Sequence, residues 1–457
     1  MCALSILREQ SNMTTPLVLP LTVEHALPDG HARLLGAAFQ VTGAATMLEL
    51  SGARLLVDCG VAQGEGSDAL PEGALEADAV VLTHGHQDHI GNIPALLEAG
   101  YRGRIYATPA TLAIALISLE DSLRMQRVDG RRQADVLAQV RSQVSPIGYG
   151  RSITLGALSV TMHEAGHILG SASVEIQSAK SRVIVSGDLG RWDSPILRDP
   201  NTSWSHGRPV DLAIVESTYG ARDHAHTHAQ IEADLERAVK DAVRRGGKIL
   251  IPAFAIGRTQ VLLYFLNTLV ESGRIPSIPV AIDTPMGLSM TAAYQRFRSL
   301  FDKDALDKLA KGDDPLDFAN LFAVESGRDS RRLTDTDEPM IVIAGSGMCT
   351  GGRILGHLAA GLPDERTTVL FVGYQAPNTP GRRIQDAAQR GGTVHIDGQT
   401  VTVRAQVATL KGLSAHADRG ELLRWLKAIP DLRRVGLHHG DRAAQTDFAK
   451  YAVNHWR

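Results

Sequence analysis

Along the chain, short apolar runs alternate with polar, glycine-rich turns. "RLLVDCG" (54–60), "AVVLTHGH" (79–86), "RVIVSGDLG" (182–190), "LAIVESTYG" (212–220), "KILIPAFAIGR" (248–258), "MIVIAGSGMCTGGR" (340–353), "TVLFVGYQ" (368–375) and "RRVGLHHGD" (433–441) each carry such a run. Their length and β-branched character predict strands buried on both faces. Helical patterns lie between some of them. "IPALLEAG" (93–100) closes on Gly100 and "TQVLLYFLNTLVESG" (259–273) on Gly273, as helices often do. "DRGELLRWLKAI" (418–429) gathers Leu422, Leu423, Trp425, Leu426 and Ile429 on one face. The pattern predicts an α/β protein with large sheets. Residues 311–339, rich in Asp, Gly and Arg, read as a surface excursion inside a domain.

Composition changes this picture little. With 457 residues the chain can build two or three domains with real cores. Its net charge of −3 supplies no global attraction to nucleic acid or an anionic membrane, so a polyanionic substrate needs a local basic cleft. Cys2, Cys59 and Cys349 form no C-x-x-C pair and suit a reducing compartment. The N-terminus lacks a basic start, and Arg8-Glu9-Gln10 interrupts its apolar stretch, so it does not read as a secretory signal. Residues 1–15 are expected to be flexible, with Met13 an alternative start. No apolar run approaches membrane-span length, and the expectation is a cytoplasmic protein without a membrane partner.

The candidate chemistry sits where the apolar runs end. His84, His86, Asp88 and His89 follow one run; His163, Glu164 and His167 follow the segment near 158–162. Asp188, Glu216, and the pair His438 and His439 follow three more. Sites in open α/β sheets assemble at the carboxyl ends of strands. Imidazoles with carboxylates and no thiolate suit zinc or a similar divalent ion. In "HGHQDH", residues 84 and 86 can point the same way from a turn while 88 and 89 open a helix, so one segment can serve two adjacent ions.

This motif, with Asp58 before it and later acidic and histidine residues after it, resembles the metallo-β-lactamase superfamily. The resemblance implies that His84, His86 and His167 hold one zinc and that Asp88, His89 and His439 hold another. It makes Asp188 the bridge and Asp58 a residue that orients ligands. His167, in "AGHILG", and His439, directly before a glycine, fit the family pattern better than His163 and His438. About 220 residues separate Glu216 from His439, which calls for an inserted domain. "IVESTYG", "IPAFAIGRTQVLLYFL", "AGSGMCTGGRILGHL", "VGYQAPNTPGR", "KGLSAHADRGELLRWL" and "HGD" are similar to the motifs of the β-CASP nucleases, in order, from about residue 33 to 445. Within that family the chain looks closest to stand-alone prokaryotic relatives of the cleavage-and-polyadenylation endonuclease, and His439 favours RNA over DNA.

The expected architecture is a four-layered αββα metallo-β-lactamase fold with an inserted α/β β-CASP domain. Its limits are 1–217 and 401–457 for the first domain and 218–400 for the insertion, with RNA entering between them by resemblance. The expected function is a zinc-dependent ribonuclease with two Zn2+ per chain, single-stranded RNA as substrate, and a homodimer as the family's common assembly. Two ions roughly 3.5–4 Å apart can clamp attacking and leaving oxygens of an in-line displacement at phosphorus. His416, Glu216 and Asp88 form the expected catalytic set. His416 is the general acid and Glu216 orients a histidine. Ser346, Gly347, Arg353, Arg258, Arg382, Arg383 and Ser414 are candidate phosphate contacts, the glycine loop offering backbone N–H groups. "DHAHTHAQ" (223–230), with His224, His226 and His228, reads as a solvated loop. Two alternatives stand beside the ribonuclease: a small-molecule metallohydrolase on the same fold, and a non-catalytic RNA-binding scaffold. With aromatics at 5% of the chain, an extensive base-stacking platform is not expected.

Overall fold

A computed structural model describes residues 15–62 and 69–456. Met13 and nearly all of the segment expected to be flexible lie outside the described residues. The chain divides into two units, Met1–Asp223 with Ala415–Arg457, and His224–Ser414.

The first unit holds two seven-stranded sheets. One runs Glu24–Leu27, Gly30–Gly36, Ala45–Leu50, Ala53–Val57, Ala79–Val81, Arg104–Ala107 and Val144–Pro146, antiparallel at first and parallel from Ala53–Val57 onward. The other runs Leu17–Leu19, Arg434–His438, Leu212–Glu216, Arg182–Val185, Ala172–Gln177, Leu158–Glu164 and Ser152–Leu155. Strand alternation explains why the central runs are apolar throughout. Val183, Val185, Leu212 and Ile214 face the first sheet, meeting Leu55, Val57 and Val81. Their neighbours Ile184, Ala213 and Val215 face the other way, onto Trp425, Leu426 and Phe448 of the helices Arg419–Lys427 and Arg442–His455. The outer face of the first sheet is covered by Ile93–Glu98, Pro109–Met125 and Gly130–Gln143. Three buried interfaces therefore stack helix, sheet, sheet and helix, the expected αββα order.

The C-terminal strand Arg434–His438 lies between Leu17–Leu19 and Leu212–Glu216, with His438 paired to Glu216 in register. That pairing brings two motifs more than 200 residues apart onto one sheet edge.

The second unit contains a six-stranded sheet, all parallel, in the order Leu321–Ala323, Val280–Ile282, Ile341–Ala344, Ile249–Pro252, Thr368–Phe371 and Gln406–Thr409. Because Gln406–Thr409 pairs with Thr368–Phe371, the unit extends to residue 414 rather than to the expected limit at 400. On the other side it begins at His224, not at 218.

Helix ends follow the sequence signals. Gly100 and Gly273, at φ of 107° and 65°, follow helices ending at Glu98 and Glu271. Asp418 and Glu421 form a capping box at the start of Arg419–Lys427. Residues 311–339 depart from the expected excursion, for they hold the edge strand Leu321–Ala323 and the helix Gly327–Asp335, capped by Ser326. Both are mostly exposed; the helix is polar in sequence, and the strand lies in a short apolar stretch, residues 321–324, between polar segments. Among the described residues no helix is long and apolar enough to cross a membrane.

Candidate metal centre

The "THGHQDH" turn is braced from below before its side chains are placed. Asp58, at φ 62°, follows the strand Ala53–Val57 and reverses the chain toward the turn. Cys59 N donates to the His89 carbonyl at 2.8 Å, and Val61 N to the Gln87 carbonyl at 3.1 Å. The approach is so close that a Cβ on Gly60 would lie 1.6 Å from the Asp88 carbonyl oxygen, so only glycine fits there. On the far side, Gln87 Nε2 donates to Ser118 O at 2.9 Å and to its Oγ at 2.8 Å, tying the short helix Gln87–Ile90 to Pro109–Met125. Gln87 is thus a strap rather than a donor to the centre.

Four donors then converge. His84 Nε2 lies 3.0 Å from His86 Nδ1, which lies 3.2 Å from His167 Nε2. Asp188 Oδ2 stands 3.6 Å from His84 Nε2 and 3.5 Å from His167 Nε2. Tetrahedral zinc with bonds of about 2.0–2.1 Å places neighbouring donor atoms roughly 3.3 Å apart. The spacing fits. A second group, Asp88, His89 and His439, reaches the same aspartate from its other oxygen. Asp188 Oδ1 is 3.3 Å from His89 Nε2 and 3.2 Å from His439 Nδ1, while His439 Nε2 is 3.5 Å from Asp88 Oδ2. His89 Nε2, His439 Nε2 and Asp188 Oδ1 are all buried without a hydrogen-bond partner. Buried polar atoms seldom go unpaired, and this donor set, all nitrogen and oxygen, suits divalent zinc.

Neighbouring groups set the tautomers. The Asp58 carboxylate accepts from Thr83 N and Thr83 Oγ1, both at 2.7 Å, and lies 2.7 Å from His89 Nδ1. That leaves His89 Nε2 to face Asp188. Thr218 Oγ1 donates to the His439 carbonyl at 2.9 Å and lies 3.2 Å from His439 Nδ1. Burial, followed by the charge of His89, holds the His84 imidazole well below its ordinary value, and burial with His416 does the same to His167. Burial thus favours the neutral imidazole at both, the form that can bind a metal ion. Burial works against the Asp188 carboxylate, yet the histidines around it, His439 first, hold it well below the carboxylate range.

Beside the donors lies a carboxylate–imidazole pair. His416 Nδ1 is 3.0 Å from Glu216 Oε1 and 3.9 Å from Asp188 Oδ2. Glu216 is fully buried and accepts from Leu189 N at 2.9 Å and Thr218 N at 3.2 Å. Burial opposes charge on His416, but Glu216 and then the two aspartates raise it to about 9.

The other histidines stand apart. His163 Nε2 is 2.9 Å from Glu175 Oε2, and Glu175 also takes Arg182 Nε at 2.8 Å. His438 is buried, with neither ring nitrogen hydrogen-bonded, and burial pushes it down to about 3. In "DHAHTHAQ", Thr227 caps the helix His228–Arg244 through a capping box with Gln230. Thr83, Thr218 and the carbonyl of Ala415, 3.4 Å from His167 Nδ1, were not singled out from sequence. A threonine beside a ligand carries no signal until its contact is seen.

The candidate phosphate contacts, Ser414 included, fall within the second unit, most of them at the carboxyl ends of its parallel strands. Ser346 Oγ accepts from Thr350 N at 2.9 Å, and Gly347 O accepts from Gln375 Nε2 at 2.9 Å. Arg258 opens the helix Arg258–Glu271; Arg382 and Arg383 are exposed in the first turn of Pro380–Arg390. Arg382 pairs with Asp386 at 3.1 Å. Arg353 is committed elsewhere: it donates to Asp283 Oδ1 and Val324 O, both at 2.7 Å, and to Glu325 O at 2.9 Å.

Comparison with known proteins identifies the family. Residues 53–252 match the beta-lactamase superfamily domain, 259–384 the Beta-Casp domain, and 400–456 the Zn-dependent metallo-hydrolase RNA specificity domain. Ribonuclease TTHA0252 of Thermus thermophilus is 40% identical over 89% of this chain and 92% of its own. Transcription termination factor FttA of Methanocaldococcus jannaschii is 31% identical over 91% of this chain, which spans 67% of that longer protein. A crystal structure of a protein of unknown function from Enterococcus faecalis shares the fold, with a TM-score of 0.53 at 12% identity over 92% of this chain and 94% of its own. With these matches and a histidine-rich centre of this geometry, the chain belongs to the β-CASP ribonuclease family of the metallo-β-lactamase superfamily.

Proposed function

We propose that the chain hydrolyses phosphodiester bonds of single-stranded RNA with two zinc ions. The observation that carries this reading is the convergence of six side chains in two groups around Asp188, with the His416–Glu216 pair against the same aspartate. His84, His86 and His167 would hold one ion, and Asp88, His89 and His439 the other, with Asp188 shared. When bound, the pair supplies a water acidic enough to attack at neutral pH and positive charge for the phosphate oxygens.

The chain's own residues do the rest. Asp58 holds His89 with Nε2 turned inward, and Glu216 holds His416 by Nδ1. His416 therefore offers Nε2 as the proton donor to the leaving 3′ oxygen, a role that Glu216 supports by its fixed negative charge. Ser346, Gly347, Arg258, Arg382, Arg383 and Ser414 would contact the RNA backbone. Cys59 and Cys349 are buried free thiols, consistent with work in the reducing cytoplasm.

The test is digestion of one RNA labelled at its 5′ end and, separately, at its 3′ end, with zinc and then with EDTA. Zinc-dependent cleavage is expected. Mononucleotides from one end mean an exonuclease, internal fragments an endonuclease. Hydrolysis of a lactone or thioester with RNA untouched would overturn the reading.

A further inference from the structure

Two large aromatic side chains stand exposed at the carboxyl end of the second unit's parallel sheet: Phe254, 43% exposed, after Ile249–Pro252, and Tyr374, 67% exposed, after Thr368–Phe371. Those two strands are hydrogen-bonded neighbours, and on the other side of Ile249–Pro252 lies Ile341–Ala344, which leads into the glycine loop 345–353. The rings thus belong to one rim, made of the segments 253–258, 345–353 and 372–383.

The rim is rigid. A Cβ on Gly347 would come within 2.8 Å of the Phe254 ring, so the phenyl lies directly over the loop backbone. Gln375, buried, donates through Nε2 to Gly347 O at 2.9 Å and is 3.2–3.3 Å from the carbonyls of Tyr374 and Gly373. Gly381 N donates to Met348 O at 3.2 Å. One amide side chain and one backbone bond therefore lock the Tyr374 segment to the glycine loop. With their backbone segments tied together in this way, both rings are presented from one framework, which reduces the ordering that binding would cost.

The rim's charge identifies the occupant. The three segments contain no acidic residue and hold Arg258, Arg382 and Arg383, in a chain whose net charge is −3; Arg353 is committed to Asp283, and Arg382 also reaches Asp386 one turn on. Aromatic faces set among arginines are what single-stranded nucleic acid requires, arginine for phosphates and rings for bases.

We propose that Phe254 and Tyr374 are base-stacking residues for single-stranded RNA. The inference rests on RNA being the substrate and adds a base-binding subsite to the phosphate contacts. It narrows the expectation drawn from the low aromatic content: two exposed rings on one rim make a local subsite, not an extended platform.

The experiment uses the zinc-loaded full chain cleaving a labelled RNA, with two unlabelled ten-residue competitors. One is oligoadenylate; the other has the same ribose-phosphate backbone without bases. Wild-type protein is expected to favour the base-bearing competitor. In Phe254→Ala/Tyr374→Ala, inhibition by oligoadenylate should weaken by about tenfold or more, while the abasic competitor is unaffected and the melting temperature holds. Tyr374→Trp should keep the preference. An unchanged preference in the double variant, or equal weakening of both competitors, overturns the stacking assignment and leaves RNA cleavage standing. Absence of cleavage by wild type would overturn the functional reading and this inference with it.

Discussion

His416 Nδ1 lies 3.0 Å from Glu216 Oε1, and that carboxylate has no exposed surface. A buried charge held by two backbone N–H groups cannot turn away, so it fixes both the orientation and the proton of the imidazole. His416→Ala is expected to lower kcat by about 10²–10⁴ without loss of zinc. Glu216→Gln keeps an acceptor for Nδ1 but removes the charge, so its kcat should fall less. Single-turnover cleavage with zinc content measured on the same preparations checks both. Wild-type kcat in His416→Ala would remove the general-acid role.

Asp58 accepts from Thr83 N and Thr83 Oγ1 and faces His89 Nδ1, each at 2.7 Å. In Asp58→Asn an amide N–H would meet one of these donors, and the negative charge that favours ring orientation would be gone. Zinc affinity should fall by about 10–100-fold, the usual cost of losing such a partner. Competition against a chelating dye reads this without reference to cleavage. Affinity equal to wild type would show that the turn alone orients His89.

His25, in the strand Glu24–Leu27, is buried against Gly436 with no hydrogen bond at either ring nitrogen. Burial, then the charge of Arg434, lowers it to about 4. Its folded value lies below the unfolded 6.5, so below pH 6.5 the unfolded chain takes up a proton that the folded chain refuses. The stability difference is absent above pH 6.5 and grows as pH falls to about 4, reaching roughly 3 kcal/mol. His25→Gln should therefore flatten the acid limb of the denaturation midpoint in chelator-treated protein. An acid limb parallel to wild type would show that other groups dominate it.

The sequence exposed the candidate centre because its donors crowd the ends of buried strands, where folding alone does not call for them. Glu216 and His438 then pair across a sheet, which no spacing between them could show. Gln87 had no legible role, for its partner Ser118 lies one helix away. The strand Gln406–Thr409 was equally silent, half-buried or exposed along its length with no apolar run, whereas Leu321–Ala323 is apolar but only three residues long within a polar stretch. Phe254 and Tyr374 were legible as residues but not as surface. Exposure depends on what the glycines beside them leave open.

Arg353 shows how a motif can mislead about what a side chain touches. It stands in "GSGMCTGGR" among candidate phosphate contacts, yet its guanidinium donates to the fully buried Asp283 and to the carbonyls of Val324 and Glu325. Asp283 also accepts from Ser330 Oγ and lies against His357 Nε2, both at 2.6 Å. Burial works against this carboxylate, and the hydrogen bonds from His357, Ser330 and Arg353 together hold it below its ordinary value. Arg353→Ala removes the one permanent cation from the group and leaves a buried charge short of a partner. Such losses cost about 3–5 kcal/mol, toward the lower end here because Asp283 keeps Ser330 and His357 as partners. Removing Arg383, which is exposed, should instead leave the melting temperature in place and lower the salt dependence of RNA binding by about one counterion. Thermal melting beside binding at several salt concentrations separates the two arginines. If Arg353→Ala melts like wild type and binds RNA more weakly, the residue acts on phosphate despite its carboxylate partner.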